Sequence, residues 1–494
     1  MPEELTTEQI WLKALGEELD ARQPIVRQLT QYHAGFPAVP EHIDLITEET
    51  EYRVLIRQAV TNWPELITDS VEERLEVTGF RFKDKATRDK AWDLWQRNRM
   101  DSDSGLVHES TLVTGRAYVL VWAGPDGKAI MVPEDQSTTI VAYDVTTGAR
   151  VAALRRWFEL DRWHATLYFT DRICKYQAIA TGDSTPTGGA EAWEKREVDG
   201  EDWPLLNPLK QVPVVEFAVN RTLGGYRSDG SIIGHPNPQS RMFGSGAGEY
   251  ERVLPVIDRI NTTTFSCLLA TLYASFPVRA LIGEPISYVE EEVDDGEGGT
   301  KTVKKAVPPF RIAVNRLVQL ENPEARMAQL PESNLENYIK AAEAHIRHLA
   351  AITKTPPHYL TGHMINVSAD AIRAAEAGLI SKIYKHQRSL GESWEEVIRL
   401  GLAVEGAAEL PSDERAETRW KNPESRSMAE RADAASKLKD LLPAEGIWEY
   451  VLQATPQQIE SWSANGGGPS LEVVTTPGGP RVTPVPEPEP EPTE

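Results

Sequence analysis

From Asn334 to about Glu405 the chain keeps a helical rhythm that is broken once. Leu335, Ile339, Ala342, Ile346, Leu349 and Ile352 recur at steps of four and three among Glu, Lys, Arg and His, which predicts a helix with one apolar stripe. Pro356-Pro357 stops it, because neither residue donates an i→i−4 hydrogen bond and each pushes its predecessor out of the α region. A turn-rich segment, His358–Val367, follows, with Gly362 and Asn366 as turn formers. Ser368 is the expected cap of a second helix, in which Ile372, Leu379, Ile383, Leu390, Trp394 and Val397 hold helical spacing as far as Gly406. Such a helix is on the order of 50 Å long. That is more than a compact domain uses, and it points to a scaffold element in a larger assembly.

The rest of the chain divides by period. Residues 6–31 predict an amphipathic helix, and Asn62-Trp-Pro64 opens another with Asn as cap and Pro in the first turn. Ala91–Asn98 and Leu106–Thr114 predict two more. The period then falls to two. Ala117–Trp122 and Ala129–Val132 flank a Pro125-Asp-Gly turn, and Thr139–Tyr143, Arg150–Trp157, Ala165–Phe169 and Arg172–Tyr176 continue the alternation. Residues 116–220 are therefore expected to be mostly antiparallel sheet, interrupted by a polar loop at 181–203. Residues 222–248, rich in Gly, Ser, Pro and Asn, read as loop.

A helix is expected from Glu249 to about Ala274, with Tyr250, Val253, Ile257, Ile260, Thr264, Leu268 and Leu272 on one face and Pro277 ending it. Ile286–Val293 and Thr300–Val307, one arm acidic and one basic, predict a hairpin around a Gly-rich turn. Helices return after Asn422. From Gly466 to Glu494 the chain is Gly, Pro, Thr and Glu, with too few apolar groups to offset ordering entropy, so that tail is expected to be disordered. The fold class is α+β.

Composition narrows the partners. A chain of 494 residues, 40% hydrophobic and 26% charged, reads as a soluble globular protein with room for two to four domains. Its net charge of −23 makes it a poor candidate for gripping nucleic acid by phosphate neutralisation, although it suits passage without sticking. Cys174 and Cys267 form no disulfide framework, which fits a reducing cytoplasm. The N-terminal residues lack a signal-peptide pattern, and the most apolar run, Phe265–Ile282, is broken by Pro277 and Arg279. No membrane association is expected.

Several residues invite a chemical reading. His345, His348, His358 and His363 could be ligands in a cytosolic metal-dependent enzyme, the alternative function, but they straddle the Pro-Pro break and lack Cys or carboxylate partners at ligand spacing. Gly244-Ser-Gly-Ala-Gly248 precedes a helix as phosphate loops do, yet no strand pattern leads into it. No GxxxxGK[ST], GxSxG or HExxH motif occurs. Asp101-Ser-Asp103 and the Glu290–Glu292 run read as solvated faces. No catalytic residue, metal or cofactor is expected.

The string Leu349-Ala-Ala-Ile-Thr-Lys-Thr-Pro-Pro-His-Tyr-Leu-Thr-Gly362, followed by Asn366-Val-Ser-Ala-Asp-Ala-Ile-Arg-Ala-Ala-Glu376, resembles the portal proteins of tailed double-stranded-DNA bacteriophages of the siphovirus type. Gly115-Arg-Ala-Tyr-Val and Val212-Pro-Val-Val-Glu-Phe217 extend the likeness. The resemblance implies a portal-type ring subunit with long stem and wing helices, a β-rich antiparallel wing, a β-hairpin clip and a helical crown. Residues 1–248 become wing, 249–275 a stem helix, 276–333 the clip and 334–354 the second stem helix. Residues 355–367 become the tunnel loop, 368–421 the long wing helix and its return, 422–465 the crown and 466–494 the tail.

The implied DNA-facing loop comprises Pro356, Pro357, His358, Tyr359, Leu360, Thr361, Gly362, His363, Met364, Ile365 and Asn366. The implied clip contacts are Glu290, Glu291, Glu292, Lys301, Lys304 and Lys305. The implied assembly is a ring, typically of twelve copies, at a capsid vertex of the virion, assembled in the host cytoplasm. Its implied partners are terminase, a head-completion adaptor, major capsid and scaffolding proteins, and double-stranded DNA that passes through weakly bound. Truncation at Gly466 is expected to leave ring yield and melting temperature unchanged; loss of rings would mean that the tail packs.

Overall fold

The computed structural model describes residues 6–37, 50–179, 192–222, 242, 245–275, 279–282, 287–294, 300–307, 326–329, 334–362, 369–406, 416–424 and 427–464. Ser368, residues 181–191 of the expected polar loop and the tail from Gly466 lie outside these residues.

Helices α1 (Thr7–His33), α2 (Thr50–Ala59) and α3 (Trp63–Glu72) lead to strand β1 (Val77–Arg81) and helices α4 (Lys85–Arg97) and α5 (Met100–Thr114). The β-rich region holds β2 (Arg116–Ala123), β3 (Ala129–Asp135), β4 (Thr139–Tyr143), β5 (Arg150–Glu159), β6 (Arg162–Phe169), β7 (Arg172–Ile179), β8 (Glu194–Lys195), β9 (Leu205–Leu206) and β10 (Val214–Ala218). Helix α6 (Leu254–Ser275) follows a short 3₁₀ turn, and then come β11 (Arg279–Ile282), β12 (Ser287–Asp294), β13 (Thr300–Val307) and β14 (Arg326–Gln329). Helix α7 (Leu335–Thr353), the one-turn α8 (Pro357–Thr361) and the 36-residue α9 (Ala369–Val404) form the long-helix region. Strand β15 (Glu417–Trp420) and helices α10 (Met428–Leu438), α11 (Ala444–Tyr450) and α12 (Pro456–Ala464) complete the described chain.

The body is layered. A three-stranded antiparallel sheet, β10-β2-β3, lies between α9 with α4 and α5 on one side and a six-stranded antiparallel sheet, β4-β5-β6-β7 with β8 and β9 at its edge, on the other. Strand alternation explains how one sheet serves two cores. On β2, Ala117, Val119 and Val121 join the helix-side core, while Tyr118 and Leu120 point into the core between the sheets. The outer face of the six-stranded sheet is covered by α1, with Leu12, Leu15 and Leu19 packed on Ala152, Leu154 and Leu167.

Three features were not foreseen in the sequence. Helix α2 carried no recognised signal. Strand β1 pairs antiparallel with β15, Phe80 opposite Thr418 and Arg81 opposite Glu417. The last helices do not stand apart either: Glu449 on α11 bridges Arg81 (2.8 Å) and Arg419 (3.0 Å) across that two-stranded sheet. Asn62 does precede α3, but its side chain makes no cap bond and donates instead to the His33 carbonyl and the Glu65 carboxylate.

Trp394 is the centre of the helix-side core. Its ring lies 4.8 Å from Trp95 and 4.5 Å from Phe217, both edge-on. Its indole N–H donates to Nε2 of the fully buried His108 (2.9 Å). Accepting that bond requires a neutral ring nitrogen. Burial pushes the His108 imidazole down to about 3, against the upward pull of a hydrogen bond with the Leu75 backbone. The sign is therefore set: between about pH 6.5 and about pH 3 the unfolded chain binds a proton that the folded chain refuses, so stability falls as acid is added through that window. His108→Gln keeps an acceptor for Trp394 and removes the titration. Urea midpoints of this variant are expected to fall less steeply with pH than those of the unaltered chain, and equal slopes would remove His108 from the acid response.

Candidate functional site

The resemblance directs attention to the junction where α7 ends, α8 turns and α9 passes back. Lys354 ends α7 in the left-handed region (φ 57°), its N–H bonded to the Ala350 carbonyl. The Thr353 hydroxyl donates to the Leu349 carbonyl (2.8 Å). The Thr353 carbonyl, left without an intrahelical donor, accepts from the Lys382 ammonium on α9 (2.8 Å). Pro357 starts α8, where a missing N–H costs nothing, and Gly362 closes it at φ 66°.

Lys382 also contacts Glu249, whose side chain is only 3% exposed, at 2.9 Å. His386, one turn along α9, reaches the other oxygen of that carboxylate at 2.8 Å, and Asn220 donates to the same oxygen at 2.7 Å. Burial alone would push the Glu249 carboxyl up. The hydrogen bond from His386 and the charge of Lys382 outweigh it and hold Glu249 well below the usual carboxylate range.

The segment entering this cluster is packed backbone to backbone. A Cβ at Gly246 would lie 2.3 Å from the Gly115 carbonyl oxygen, and one at Gly248 would lie 2.2 Å from that of Val113. Ala247 N–H bonds the Val219 carbonyl (3.2 Å) and Glu249 N–H bonds that of Leu112 (2.8 Å). These glycines are thus spacers for close approach, and the segment they open is a pressed-in strap.

The predicted DNA-facing residues separate into two groups. Pro356 and Leu360 are buried, Leu360 among Leu349, Ala350 and Ile257, so the root of the loop is part of the core. Tyr359 is half-buried; its hydroxyl accepts from Arg74 (2.7 Å) and donates to Glu376 (2.8 Å). Burial, with the bond to Glu376, raises its phenol above the ordinary range. Pro357, Thr361 and Gly362 face solvent and His358 is partly exposed. His363, Met364, Ile365 and Asn366 lie outside the described residues.

In the β12–β13 hairpin the backbone register sets Glu290 opposite Lys304, Glu291 opposite Val303, Glu292 opposite Thr302 and Val289 opposite Lys305. Only one of the expected acid–base cross-strand positions therefore coincides.

The metal reading finds no support. The His345 and His348 rings are 6.4 Å apart, and among the described residues no three His, Cys, Asp or Glu side chains gather where an ion could sit. Asp101 is likewise structural: its two oxygens accept from Trp95 Nε1 (2.8 Å) and Gln96 Nε2 (2.6 Å) at the start of α5. Sequence reasoning missed Glu249, Lys382, His386, Arg74 and Glu376. A signal existed for two of them, because Lys382 and His386 fall four residues apart inside the apolar stripe of Leu379, Ile383 and Leu390.

Glu249→Gln strands an ammonium in the core, and breaking a buried pair in this way is expected to cost about 3–5 kcal/mol. Denaturant unfolding at neutral pH measures the loss. Because the folded carboxyl is depressed, its contribution is complete above about pH 4.5 and shrinks as pH falls below it, so the gap between the two proteins should narrow in acid.

The family model "Phage portal protein, SPP1 Gp6-like" matches residues 16–467. The portal protein of Mycobacterium phage L5 is 26% identical over 438 residues, covering 85% of this chain and 79% of its own. That of Mycobacterium phage D29 is 27% identical over 391 residues, covering 77% and 72%. A chain from the neck of an empty gene transfer agent particle is 13% identical, with a TM-score of 0.43, covering 82% of this chain and 94% of its own. The family match spans most of the chain, including the strap and the long helices α6, α7 and α9 that follow it, and the chain belongs to the SPP1 Gp6-like phage portal protein family.

Proposed function

We propose that copies of this chain form a ring around a channel at one capsid vertex, through which double-stranded DNA is packaged, retained and ejected, and to which the tail side is joined. The observation that carries this reading is the family match over residues 16–467. The long helices support it. Helices α6 and α7 pack together with the start of α6 beside the end of α7, through Ile257, Ile260, Leu349 and Ala350, so they run antiparallel. Away from that base, Leu272 (43% exposed) and Ile339 (54% exposed) face solvent. Apolar side chains on both helices of such a pair are what a neighbouring copy would cover.

In this reading α6 and α7 are the stem, residues 276–333 the clip and residues 422–465 the crown. The wing comprises residues 1–248 together with 368–421. The clip hairpin, with Glu290, Glu291 and Glu292 on β12 and Lys301, Lys304 and Lys305 on β13, is the surface offered to the terminase and the head-completion adaptor. Capsid and scaffolding proteins contact the body. Residues 355–367 are the tunnel loop, with Pro356–Leu360 as its root and the part beyond as the DNA-facing portion. The chain is a virion component, and neither catalysis nor a cofactor is assigned to it.

Electron microscopy of the purified full chain is expected to show rings with a central hole, and compact monomers would overturn the reading. Because Tyr359 and Leu360 belong to the packed junction, the loop is best shortened between Gly362 and Val367. Such a variant should still form rings but package or retain DNA poorly. Packaging and retention at the unaltered level would refute the tunnel-loop assignment.

A further inference from the structure

An open groove of about 1,200 Å³ runs along α9, bounded by β15 and the start of α10. It exists because, on this side, α9 is met at two outer points, with the Tyr384 hydroxyl on Asn422 (3.2 Å) and the Gln387 amide on the Lys421 carbonyl (3.1 Å) between them. At one, Gly391 lets Trp420 approach to 3.3 Å of where a Cβ would stand, and its carbonyl accepts from the Thr418 hydroxyl (3.0 Å). At the other, Arg373 pairs with Glu430 at 2.6 Å. Between those points lie about 27 Å of helix. The α9 wall offers Ala377, Ile380 and Tyr384 at helical spacing, with Trp420 opposite.

The groove is also one-sided in charge. Six of its sixteen lining residues are glutamates and two are arginines. Some of these are already engaged: Glu430 with Arg373, Glu376 with Tyr359, and Glu417 with Arg81. Glu392 has no hydrogen bond or ion pair among the described residues. Glu395 accepts the Thr418 N–H (3.0 Å), and its carboxyl is raised by burial and by the neighbouring Glu392 and Glu417. Carboxylates crowded in this way disfavour their own ionisation unless a cation comes to them.

We propose that the groove is a docking site for a cationic amphipathic helix of a partner protein, its apolar face on Ile380, Tyr384 and Trp420 and its Lys or Arg side chains on Glu392 and Glu395. Helix-in-groove binding suits an open channel that follows α9, with apolar contacts at steps of three and four. Strand addition does not suit it, because the Thr418 N–H on the α9 side of β15 is already taken by Glu395. The same carboxylates repel DNA. The groove belongs to the single chain, so docking here does not require the ring.

The test is an anisotropy titration of the full-length protein, as rings and as dissociated subunits, against a labelled peptide of about 18 residues built from Leu, Ala and Lys in amphipathic order. A scrambled peptide of the same composition and duplex DNA serve as competitors, at about 0.15 M salt. The ordered peptide is expected to bind, and Glu392→Lys with Glu395→Gln to weaken it by about tenfold or more. A control variant, Asp126→Lys with Asp199→Lys at distant exposed turns, should bind unchanged. Equal binding of the scrambled peptide, or equal weakening by the control variant, would reduce the effect to net charge and overturn the proposal. So would competition by DNA. Binding by subunits but not by rings would overturn it in favour of a second copy as the occupant.

Discussion

The carboxylate of Glu249 lies where the strap before α6, the end of α7 and the middle of α9 meet, and its contacts decide how those segments sit on one another. A buried carboxylate is tolerable only when cations and donors surround it. Lys382, His386 and Asn220 do so, all within 2.9 Å. Lys382 has a second task, since its ammonium also satisfies the Thr353 carbonyl at the negative end of the α7 dipole. One side chain therefore ties the strap before α6 and the end of α7 to α9. Removing a single partner leaves a charge stranded, so the arrangement is specified more sharply than apolar packing alone would specify it.

Position and adhesion are divided along α9. The ion cluster at Lys382 and His386 fixes register, while the next turns hold α9 to the body by apolar contact. There Leu390, Trp394, Val397 and Ile398 are fully buried. The edge-on contacts of Trp394 with Trp95 and Phe217 are each worth about 0.5–1.5 kcal/mol beyond area burial. Small residues set the other half of the geometry. Gly246 and Gly248 let the strap lie on the Gly115 and Val113 carbonyls, which brings Glu249 within reach of α9. A side chain at either glycine would move the carboxylate away from its cations.

Much of this was legible because it is local. Period-three-and-four runs gave α1, α6, α7 and α9, period-two runs gave β2 to β7, and Pro356-Pro357 marked the break. What escaped is what distance hides. β1 and β15 are short strands at opposite ends of the chain, joined by no turn, so neither announces the other. Gly246 and Gly248 look like part of a loop because their reason is the backbone of Gly115 and Val113, far away in sequence. The α7 stripe reads as one face, yet Ile339 and Ile352 remain exposed at 54% and 59%. Periodicity names a face without naming what covers it. Lys382 and His386 could have been suspected as polar residues inside an apolar stripe, but nothing in sequence points from them to Glu249.

The same contacts constrain how the loop after α8 can communicate. Its root is clamped twice on α9: at Lys382, which holds the last carbonyl of α7, and at Glu376, which accepts from Tyr359. These residues are six apart, about 9 Å along the helix. Arg74 completes the second clamp from the turn after α3, so the phenol joins that turn, α8 and α9 at one oxygen. Leu360 fills the core directly beneath. A force applied beyond Gly362 therefore meets a packed, hydrogen-bonded turn before it meets either long helix. It reaches α9 through Tyr359, held between Arg74 and Glu376, and reaches α6 and α7 through Leu360. The root of the loop is thus tied to the turn after α3 and the start of α9 by hydrogen bonds, and to α6 and α7 by the apolar packing of Leu360.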